Sequence, residues 1–404
     1  MYLSRLTLSN YRNLVQLELE LPPGVVVLFG ANAQGKTTLL EAVYTLAIAR
    51  SFRAENEREV VNFQAASQLG QALVGGTVEK RSERLFIFVG YQCVPAALRQ
   101  AQDDRSLGYS VRKEIRVSRV RRTATELVGM VNAVLFSAGD LAMVQGPPSA
   151  RRRYLDILIS QVDPIYLRGL QRYQRVLQQR NQLLRVLRDG RAEEVELAFW
   201  DDELVREGSA ISWRRREAMR ALSSSCREYH RELAGEGEDL RMEYRPNVPG
   251  GESLEDTETR YRESLAVVQR RDRDTGATAV GPHRDDFKLL VNDVDMGVFG
   301  SRGQARTLAL SLRLAEAAYL ASLRGEAPIL LLDDVLSEMD ASRRRRVLEK
   351  AAQYEQALIT TTDLEAAQGF FGQRATYFQV KGGPVIRVAE DLGEAAEDGD
   401  ALAV

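Results

Sequence analysis

Apolar and polar side chains alternate from Tyr2 to Leu21, with a break at Ser9–Asn13. A period of two is typical of strands with one buried face, so this stretch predicts two antiparallel strands joined at the break. The pattern recurs in residues 69–91 and from Tyr109 to Val120, with a predicted loop at 92–108 between them. The amino-terminal part of the chain therefore predicts antiparallel β structure.

Other apolar runs have strand length but no alternation, as expected for strands buried on both faces of a parallel sheet. They occur at Gly24–Phe29, Val131–Phe136, Pro328–Leu332 and Gln356–Thr362. The first of these runs precedes a predicted helix at Thr38–Ala49. The fold class predicted is therefore α/β, with a mixed sheet, an antiparallel part and a helical second lobe.

Leucines at helical spacing follow Asp163-Pro164, and an aspartate cap followed by proline favours a helix start. This helix is predicted to end at Asp189-Gly190, and a second runs from about Arg191 to Leu233. We expect the two to form an antiparallel helical hairpin, which lacks the sustained heptads of an extended coiled coil. Residues 235–260 are loop-like, and Glu252–Arg273 predicts one more helix.

Gly146-Pro147-Pro148-Ser149 interrupts the chain and predicts a domain boundary. We expect residues 1–145 and 275–390 to form one discontinuous lobe and residues 146–274 a helical, arginine-rich lobe. Residues 391–404 are acidic and lack periodicity, which predicts a disordered tail.

A phosphate-binding loop is predicted between the strand at Gly24–Phe29 and the following helix. The pattern Gly-x-x-x-x-Gly-Lys-Thr supplies backbone amides and a helix amino terminus for phosphate oxygens, while Lys36 reaches the outer phosphates and Thr37 ligates Mg²⁺. A glycine-rich turn before a helix is the structural alternative. Arg12 lies at the predicted bend, either near the nucleotide or as an exposed turn residue. The candidate ATP-binding residues are Gly30, Ala31, Asn32, Ala33, Gln34, Gly35, Lys36, Thr37, Thr38 and Arg12.

Paired carboxylates end the apolar run at Pro328–Leu332. Asp333 is placed to hold Mg²⁺, directly or through water, and Asp334 to orient or deprotonate the attacking water. A capping aspartate pair is the alternative. The polar end of the Gln356–Thr362 strand is a further candidate for contact with the γ-phosphate.

Ser301-Arg302-Gly303-Gln304 opens a predicted helix at Arg306–Ser322. The element is by itself a plain helix cap, but it also offers a second anion site at a helix amino terminus. Its position about thirty residues before the Asp-Asp pair follows the order of an ABC-type ATPase head. In such heads Ser301, Gly303 and Gln304 of one subunit would cover the nucleotide of another.

Charge is strongly segregated although the 404-residue chain has a formal net charge of only −2. Residues 151–191 carry ten arginines against three aspartates, which predicts salt-dependent phosphate binding with little base readout. A solvated helix face is the alternative. The candidate DNA contacts are Arg151, Arg152, Arg172, Arg175, Arg180 and Arg185.

Composition narrows the class of protein. No apolar run reaches about 18 residues, and the start Met1–Arg5 lacks the pattern of a secretory signal, so a cytoplasmic protein without a membrane span is expected. The only cysteines, Cys93 and Cys226, are far apart in sequence and form no metal or redox spacing.

Taken together, these motifs resemble the RecF family of bacterial DNA-repair ATPases, over nearly the whole chain to about Val388. Arg-Arg-Arg-Tyr-Leu-Asp at 151–156 and Gly-Pro-His-Arg-Asp-Asp at 281–286 separate that family from other ABC heads. The chain departs from the family pattern at Ala138-Gly139, Ala305 and Thr38. The other matching stretches are 30–37 with 40–42, 49–53, 135–137 with 140–141, 146–148, 301–310 and 332–340.

The resemblance implies that ATP and Mg²⁺ are bound, that ATP drives formation of a homodimer, and that hydrolysis is slow. It implies binding to junctions of single- and double-stranded DNA, and work with RecR and RecO to load RecA. By the same resemblance Lys36 and Thr37 bind phosphate and Mg²⁺, Asp333 binds Mg²⁺, and Asp334 is catalytic. Ser301 caps the γ-phosphate of the partner, and Thr362 lies near the switch position.

Three other classes share some of these motifs. A transporter ATPase subunit predicts Leu-Ser-Gly-Gly-Gln where this chain has Ser301-Arg302-Gly303-Gln304. An SMC-type chromosome-organising head predicts long heptad arms, which the sequence lacks. A phosphoryl-transfer kinase has no need of the Ser-x-Gly-Gln element.

Overall fold

A computed structural model of the chain describes residues 1–95, 109–235, 237–335 and 339–388, leaving aside the side chain of Glu194. Residues 96–108 of the predicted loop and the predicted acidic tail lie outside these ranges. None of the described helices is both long enough and apolar enough to span a membrane.

The strands and helices follow one another in mixed order along the chain. The strands are β1 (Tyr2–Tyr11), β2 (Leu14–Glu20), β3 (Gly24–Phe29), β4 (Gln71–Glu79), β5 (Arg84–Pro95), β6 (Tyr109–Val117), β7 (Val120–Arg122), β8 (Ala133–Phe136), β9 (Leu240–Arg245), β10 (Asp286–Val291), β11 (Val294–Asp295), β12 (Ile329–Asp333), β13 (Gln356–Thr361), β14 (Ala375–Val380) and β15 (Val385–Arg387). The helices are α1 (Lys36–Ile48), α2 (Phe63–Ser67), α3 (Ala124–Leu127), α4 (Leu141–Gln145), α5 (Pro148–Ser160), α6 (Pro164–Arg188), α7 (Leu197–Ala234), α8 (Leu254–Thr275), α9 (Met296–Phe299), α10 (Arg302–Arg324), α11 (Ala341–Ala351) and α12 (Leu364–Phe371).

The chain divides into two compact units. Unit 1 comprises Met1–Leu46, Arg50–Arg121 and Ile329–Val404, and unit 2 comprises Ala47–Ala49 and Arg122–Pro328. These boundaries differ from the predicted ones at 146 and 275. The reason is that α10, which follows the helical hairpin in the chain, packs against α7 of the hairpin and against α4, which precedes it. The segments on both sides of the hairpin therefore belong to the same unit as the hairpin.

Unit 1 contains an antiparallel sheet with the strand order β2-β1-β4-β5-β6-β7. The amino-terminal pair is confirmed, with Leu6 opposite Leu19 and Leu8 opposite Leu17. The stretch from Tyr109 to Val120, predicted as antiparallel β structure, contains β6 and the start of β7, joined by a turn at Ser118 and Arg119, whose φ angles are +47° and +72°. Such left-handed residues are what a tight hairpin turn requires.

The second sheet of unit 1 runs β15-β14-β3-β13-β12, and β14, β3, β13 and β12 are parallel neighbours. Every residue from Val25 to Phe29 in β3 is buried, as the apolar run predicts. In the parallel register, Asp333 of β12 lies beside Thr360 of β13, and Thr361 of β13 lies beside Phe29 of β3. The carboxyl ends of these three strands are therefore adjacent. The predicted mixed α/β fold is confirmed.

Unit 2 is mainly helical, with α6, α7 and α8 packed on one another. Leu184 and Leu187 of α6 bury against Leu197 of α7, so the predicted hairpin is present. The predicted loop at 235–260 contains a strand, β9, because it pairs with β10 more than forty residues later and local sequence does not reveal that partner.

Candidate functional site

The loop between β3 and α1 has the curled backbone that phosphate binding requires. Gly30 and Gly35 have φ angles of +150° and +105°, and Ala33 joins them at +64°. A Cβ atom on Gly30 would lie 2.4 Å from the carbonyl oxygen of Val380, so only glycine fits there. The sequence motif is thus matched by the local geometry.

Lys36 lies over this loop. Its Nζ donates to the carbonyl oxygens of Gly30 at 2.6 Å and Ala31 at 2.8 Å. Burial lowers the pKa of the ammonium group, and the nearby Asp334 and Asp333 carboxylates oppose that shift. The cation is therefore held where the outer phosphates of a loop-bound nucleotide would lie.

Thr37 and Asp333 meet although almost three hundred residues separate them. Thr37 Oγ1 donates to Asp333 Oδ1 at 2.8 Å, and Thr360 Oγ1 donates to the same oxygen at 3.0 Å. Burial raises the pKa of Asp333, partly offset by these two hydrogen bonds. A hydroxyl and a carboxylate oxygen in contact are hard donors of the kind that Mg²⁺ prefers, so the residues fit the ion.

Asp334 follows directly with a φ angle of +49°, a left-handed conformation that is uncommon outside glycine. Its amide donates to Thr360 Oγ1 at 2.9 Å, which holds the backbone in place. Strained backbone that is fixed by its surroundings is typical of functional sites. The residue predicted to be catalytic therefore lines the cavity from a constrained position.

A cavity of about 680 Å³ joins these residues. Its size suits a nucleotide. Asn32, Ala33, Gly35, Lys36, Thr37 and Thr38 of the predicted site line it, together with Asp334 and Arg12. Residues 59 and 61–63 also line it, as do Asn13, Arg53 and Thr360.

Arg12 lines the cavity but is also anchored within unit 1. Its Nη2 donates to Glu41 Oε1 at 2.7 Å and its Nη1 to the Glu59 carbonyl oxygen at 2.8 Å. The fully buried Glu41 also accepts a hydrogen bond from Ser51. Arg53 lies 3.9 Å from the same carboxylate with a side chain 49% exposed, so it is the less constrained of the two arginines.

Several site residues were missed by sequence reasoning. Thr360 contacts Asp333 from the end of β13. Thr362, the predicted switch residue, follows the strand and is exposed, and its role stays a prediction. Asn13 accepts a hydrogen bond from Thr38 Oγ1 at 3.0 Å. Arg53 also lines the cavity, and although it lies in the stretch 49–53 that supports the family resemblance, that pattern alone predicts no role for it.

The Ser301 element forms a complete helix cap in unit 2. Ser301 Oγ accepts from the Gln304 amide at 3.2 Å, and Gln304 Oε1 accepts from the Ser301 amide at 3.1 Å. Ser301 and Arg302 are exposed. The predicted cap is therefore present, and its hydroxyl lies at the amino terminus of α10.

Most of the predicted DNA-binding arginines have other partners. Arg151 forms a bidentate ion pair with Asp286, with Nε 2.6 Å from Oδ1 and Nη2 2.9 Å from Oδ2. Arg152 donates to the Asp285 carbonyl oxygen. Arg180 is fully buried between Asp201 and Asp272. Their guanidinium groups hold unit 2 together, which corrects their assignment as a DNA surface.

The remaining three predicted arginines are more exposed. Arg172 pairs with Glu207 at 2.7 and 3.0 Å but keeps a side chain 44% exposed. Neither Arg175 nor Arg185 pairs with a carboxylate in the described part of the chain, and both are exposed. The basic surface of α6 is therefore smaller than the count of arginines predicts.

Comparison with known proteins gives consistent matches. The family model described as the RecF/RecN/SMC N terminal domain matches residues 2–379. A protein of Herpetosiphon aurantiacus described as DNA replication and repair protein RecF is 40% identical over 390 residues, covering 95% of this chain and 99% of the relative. A Bacillus cereus protein of the same description is 36% identical, covering 91% and 94%.

Solved structures agree with these matches. A structure described as the recombination mediator protein RecF-ATP in the RecFOR pathway has a TM-score of 0.83 and 31% identity, covering 96% of this chain and 98% of that one. An SMC head domain from Pyrococcus furiosus has a TM-score of 0.51 at 14% identity, which shows a shared fold alone.

Proposed function

The chain belongs to the RecF family of DNA replication and repair proteins, and from this membership we propose that it is an ATP-gated DNA clamp with weak, DNA-dependent ATPase activity. The observation that carries the proposal is the hydrogen bond from Thr37 to Asp333, which joins the phosphate loop to the Asp-Asp strand in one cavity. ATP and Mg²⁺ are the cofactors that this geometry fits.

The residues divide the chemistry between them. Loop amides and the Lys36 ammonium bind the phosphates, and Thr37 and Asp333 hold Mg²⁺. When bound, the ion neutralises charge that develops on the β- and γ-phosphates. Asp334 orients the attacking water and accepts its proton.

Completion of the site by a second copy of the chain is part of the proposal. Ser301, Gly303 and Gln304 of one subunit would cap the γ-phosphate held by the loop of the other, burying two ATP molecules between two heads. The exposed Ser301 hydroxyl at the amino terminus of a 23-residue helix supports this role. ATP binding closes the dimer and hydrolysis opens it.

The proposed biological role follows from the family. We place the protein in the cytoplasm, at junctions of single- and double-stranded DNA, where it works with RecO and RecR so that RecA is loaded at gaps. No base-reading element was found in the sequence, so binding follows DNA structure rather than sequence.

The Lys36→Met variant tests this function. Removing charged hydrogen bonds of about 1.5–3 kcal/mol each is expected to weaken ATP binding about 10- to 100-fold and to abolish ATP-dependent dimerisation. Light scattering after gel filtration, with and without ATP, measures the dimer, and binding to gapped DNA is measured on the same samples. Lys80→Met, at the β4–β5 turn, is the matched control. Dimerisation and DNA retention like the wild type in Lys36→Met would refute the mechanism.

A basic pocket in unit 2 is the surface that we propose contacts the DNA backbone. It has a volume of about 550 Å³ and lies between the β7–α3 segment, α6 and the carboxyl end of α10. Arg168 has no hydrogen-bond or ion-pair partner among the described residues, and Arg175 has only the Gln171 carbonyl oxygen. Guanidinium groups that are not paired with a carboxylate suit phosphate oxygens. Arg122, Arg168, Arg172, Arg175 and Arg324 line the pocket.

The double variant Arg168→Glu/Arg175→Glu is expected to weaken binding to gapped DNA about 10- to 100-fold at moderate salt. Two fewer phosphate contacts should also reduce the slope of log affinity against log salt by about two. Fluorescence anisotropy over a salt series measures both quantities. Arg227→Glu/Arg241→Glu makes the same change in net charge at exposed arginines that are paired with Asp239 and Asp293. An equal loss of DNA affinity in both double variants would show that the pocket is not the DNA-binding surface.

A further inference from the structure

Phe63 is an exposed aromatic residue that lines the nucleotide cavity. It begins α2, and 82% of its surface is accessible. A single exposed apolar side chain elsewhere on a protein is ordinary. This one lies in a cavity whose other lining residues include Lys36, Thr37 and Asp334.

The backbone around Phe63 is firmly fixed. The Asn62 amide donates to the Asn10 carbonyl oxygen at 2.8 Å, and the Arg12 amide donates to that of Val60 at 2.8 Å. The Asn62 side chain donates to the Arg12 carbonyl oxygen at 2.7 Å and accepts from the Gln64 amide at 3.1 Å. These bonds attach the segment to the β1–β2 turn, so the ring is presented from a rigid support.

The chemistry of the cavity indicates which part of a bound nucleotide the Phe63 ring would contact. The phosphates are matched by the loop, Lys36 and Thr37, and an uncharged aromatic ring offers nothing to a polyanion. A nucleobase is planar and apolar on its faces, and stacking on an aromatic side chain is favourable for every base. Since Phe63 supplies no hydrogen bond from its side chain, its contribution depends on stacking area, which is larger for a purine than for a pyrimidine.

We propose that Phe63 is the platform on which the nucleobase stacks and that it gives the site a preference for purine over pyrimidine nucleoside triphosphates. The inference rests on the proposed nucleotide-binding function and adds a specificity-determining residue outside the phosphate loop. The residue acts on affinity for the base, whereas Lys36 acts on affinity for the phosphates.

The test compares ATP with inorganic tripolyphosphate, which carries the phosphate chain without a base. Phe63→Ala is expected to weaken ATP binding about 5- to 150-fold, measured by calorimetry with Mg²⁺ on the full chain, and to leave tripolyphosphate binding unchanged. The ATP-over-CTP preference of the wild type should shrink in the same variant. Phe86→Ala removes another exposed phenylalanine of unit 1, 54% accessible on β5 and outside the cavity lining, and should leave ATP binding as in the wild type.

Phe63→Trp provides an independent readout. Its ATP affinity should equal or exceed that of the wild type, and its added fluorescence should be quenched by ATP but not by tripolyphosphate. The wild-type chain, with Trp200 and Trp213 in unit 2, supplies the background.

The outcomes separate the two proposals. Equal ATP affinity in Phe63→Ala and the wild type, or tryptophan emission that ATP does not change, would overturn the stacking platform alone. Failure of the wild type to bind either ATP or tripolyphosphate would overturn the nucleotide site, and the platform with it.

Discussion

Replacing Asp334 with asparagine is expected to lower the rate of ATP hydrolysis about 10²- to 10⁴-fold while ATP binding and ATP-dependent dimerisation persist. Asparagine keeps the shape of the side chain but cannot accept the proton of the attacking water. The substitution suits the backbone, since asparagine tolerates the φ angle of +49° found at this position. The hydrogen bond to Thr360 Oγ1 is donated by the backbone N–H of residue 334 and is retained.

Single-turnover hydrolysis of radiolabelled ATP on gapped DNA measures the rate, and light scattering follows the lifetime of the dimer. Because hydrolysis opens the proposed clamp, the Asp334→Asn dimer should outlast that of the wild type. Asp333→Asn is the contrasting variant, since losing a Mg²⁺-binding carboxylate should weaken ATP binding itself. Hydrolysis within about threefold of the wild-type rate in Asp334→Asn would exclude it as the base.

Arg215→Met is expected to lower the free energy of unfolding by about 3–5 kcal/mol, because it leaves the buried Asp285 and the partly buried Asp156 without their cation. Arg215 is only 2% exposed and lies 2.8 Å from Asp156 and 3.1 Å from Asp285. Asp285 is itself 1% exposed and accepts further hydrogen bonds from Tyr244 and from the Asn247 amide. Removing the guanidinium group therefore disrupts a whole network.

Arg214→Met is a closely matched control for that prediction. The preceding residue makes one ion pair, with Asp163 at 2.7 Å, and its side chain is 45% exposed. Exposed pairs contribute about 0–1 kcal/mol, so its urea midpoint should stay near that of the wild type. Equal midpoints for Arg214→Met and Arg215→Met would show that the buried network does not stabilise unit 2.

The network also connects two of the stretches on which the family resemblance rests. Asp156 belongs to Arg-Arg-Arg-Tyr-Leu-Asp and Asp285 to Gly-Pro-His-Arg-Asp-Asp, and the two meet at Arg215 of α7. His283, in the second stretch, accepts a hydrogen bond from Tyr173 OH at 2.7 Å, because its other ring nitrogen donates to the Thr278 carbonyl oxygen. Burial lowers the pKa of this histidine, consistent with a neutral ring. Asp156, Asp285 and His283 of the two stretches therefore make contacts inside unit 2.

The sequence alone determined the phosphate loop, the Asp-Asp strand, the capped helix at Ser301 and the helical hairpin. Each leaves a pattern within a short stretch of sequence: glycines at left-handed positions, a cap with its own helix, one repeated apolar face, or an apolar run that ends in carboxylates. Such local rules leave their pattern in consecutive residues, so the sequence predicts the loop around Lys36 and Thr37 and the helix cap at Ser301.

Only the tertiary structure decided how the charged and aromatic side chains are used. Arg151, Arg152 and Arg180 resemble a DNA surface in the sequence, yet their partners lie more than twenty to more than a hundred residues away and occupy them. Thr360 contacts Asp333 because the end of β13 and its register with β12 fix which hydroxyl reaches that carboxylate. Phe63 reached the cavity through hydrogen bonds to the β1–β2 turn. Ion pairing and burial depend on which residues are close in three dimensions. The sequence shows only how far apart they are along the chain.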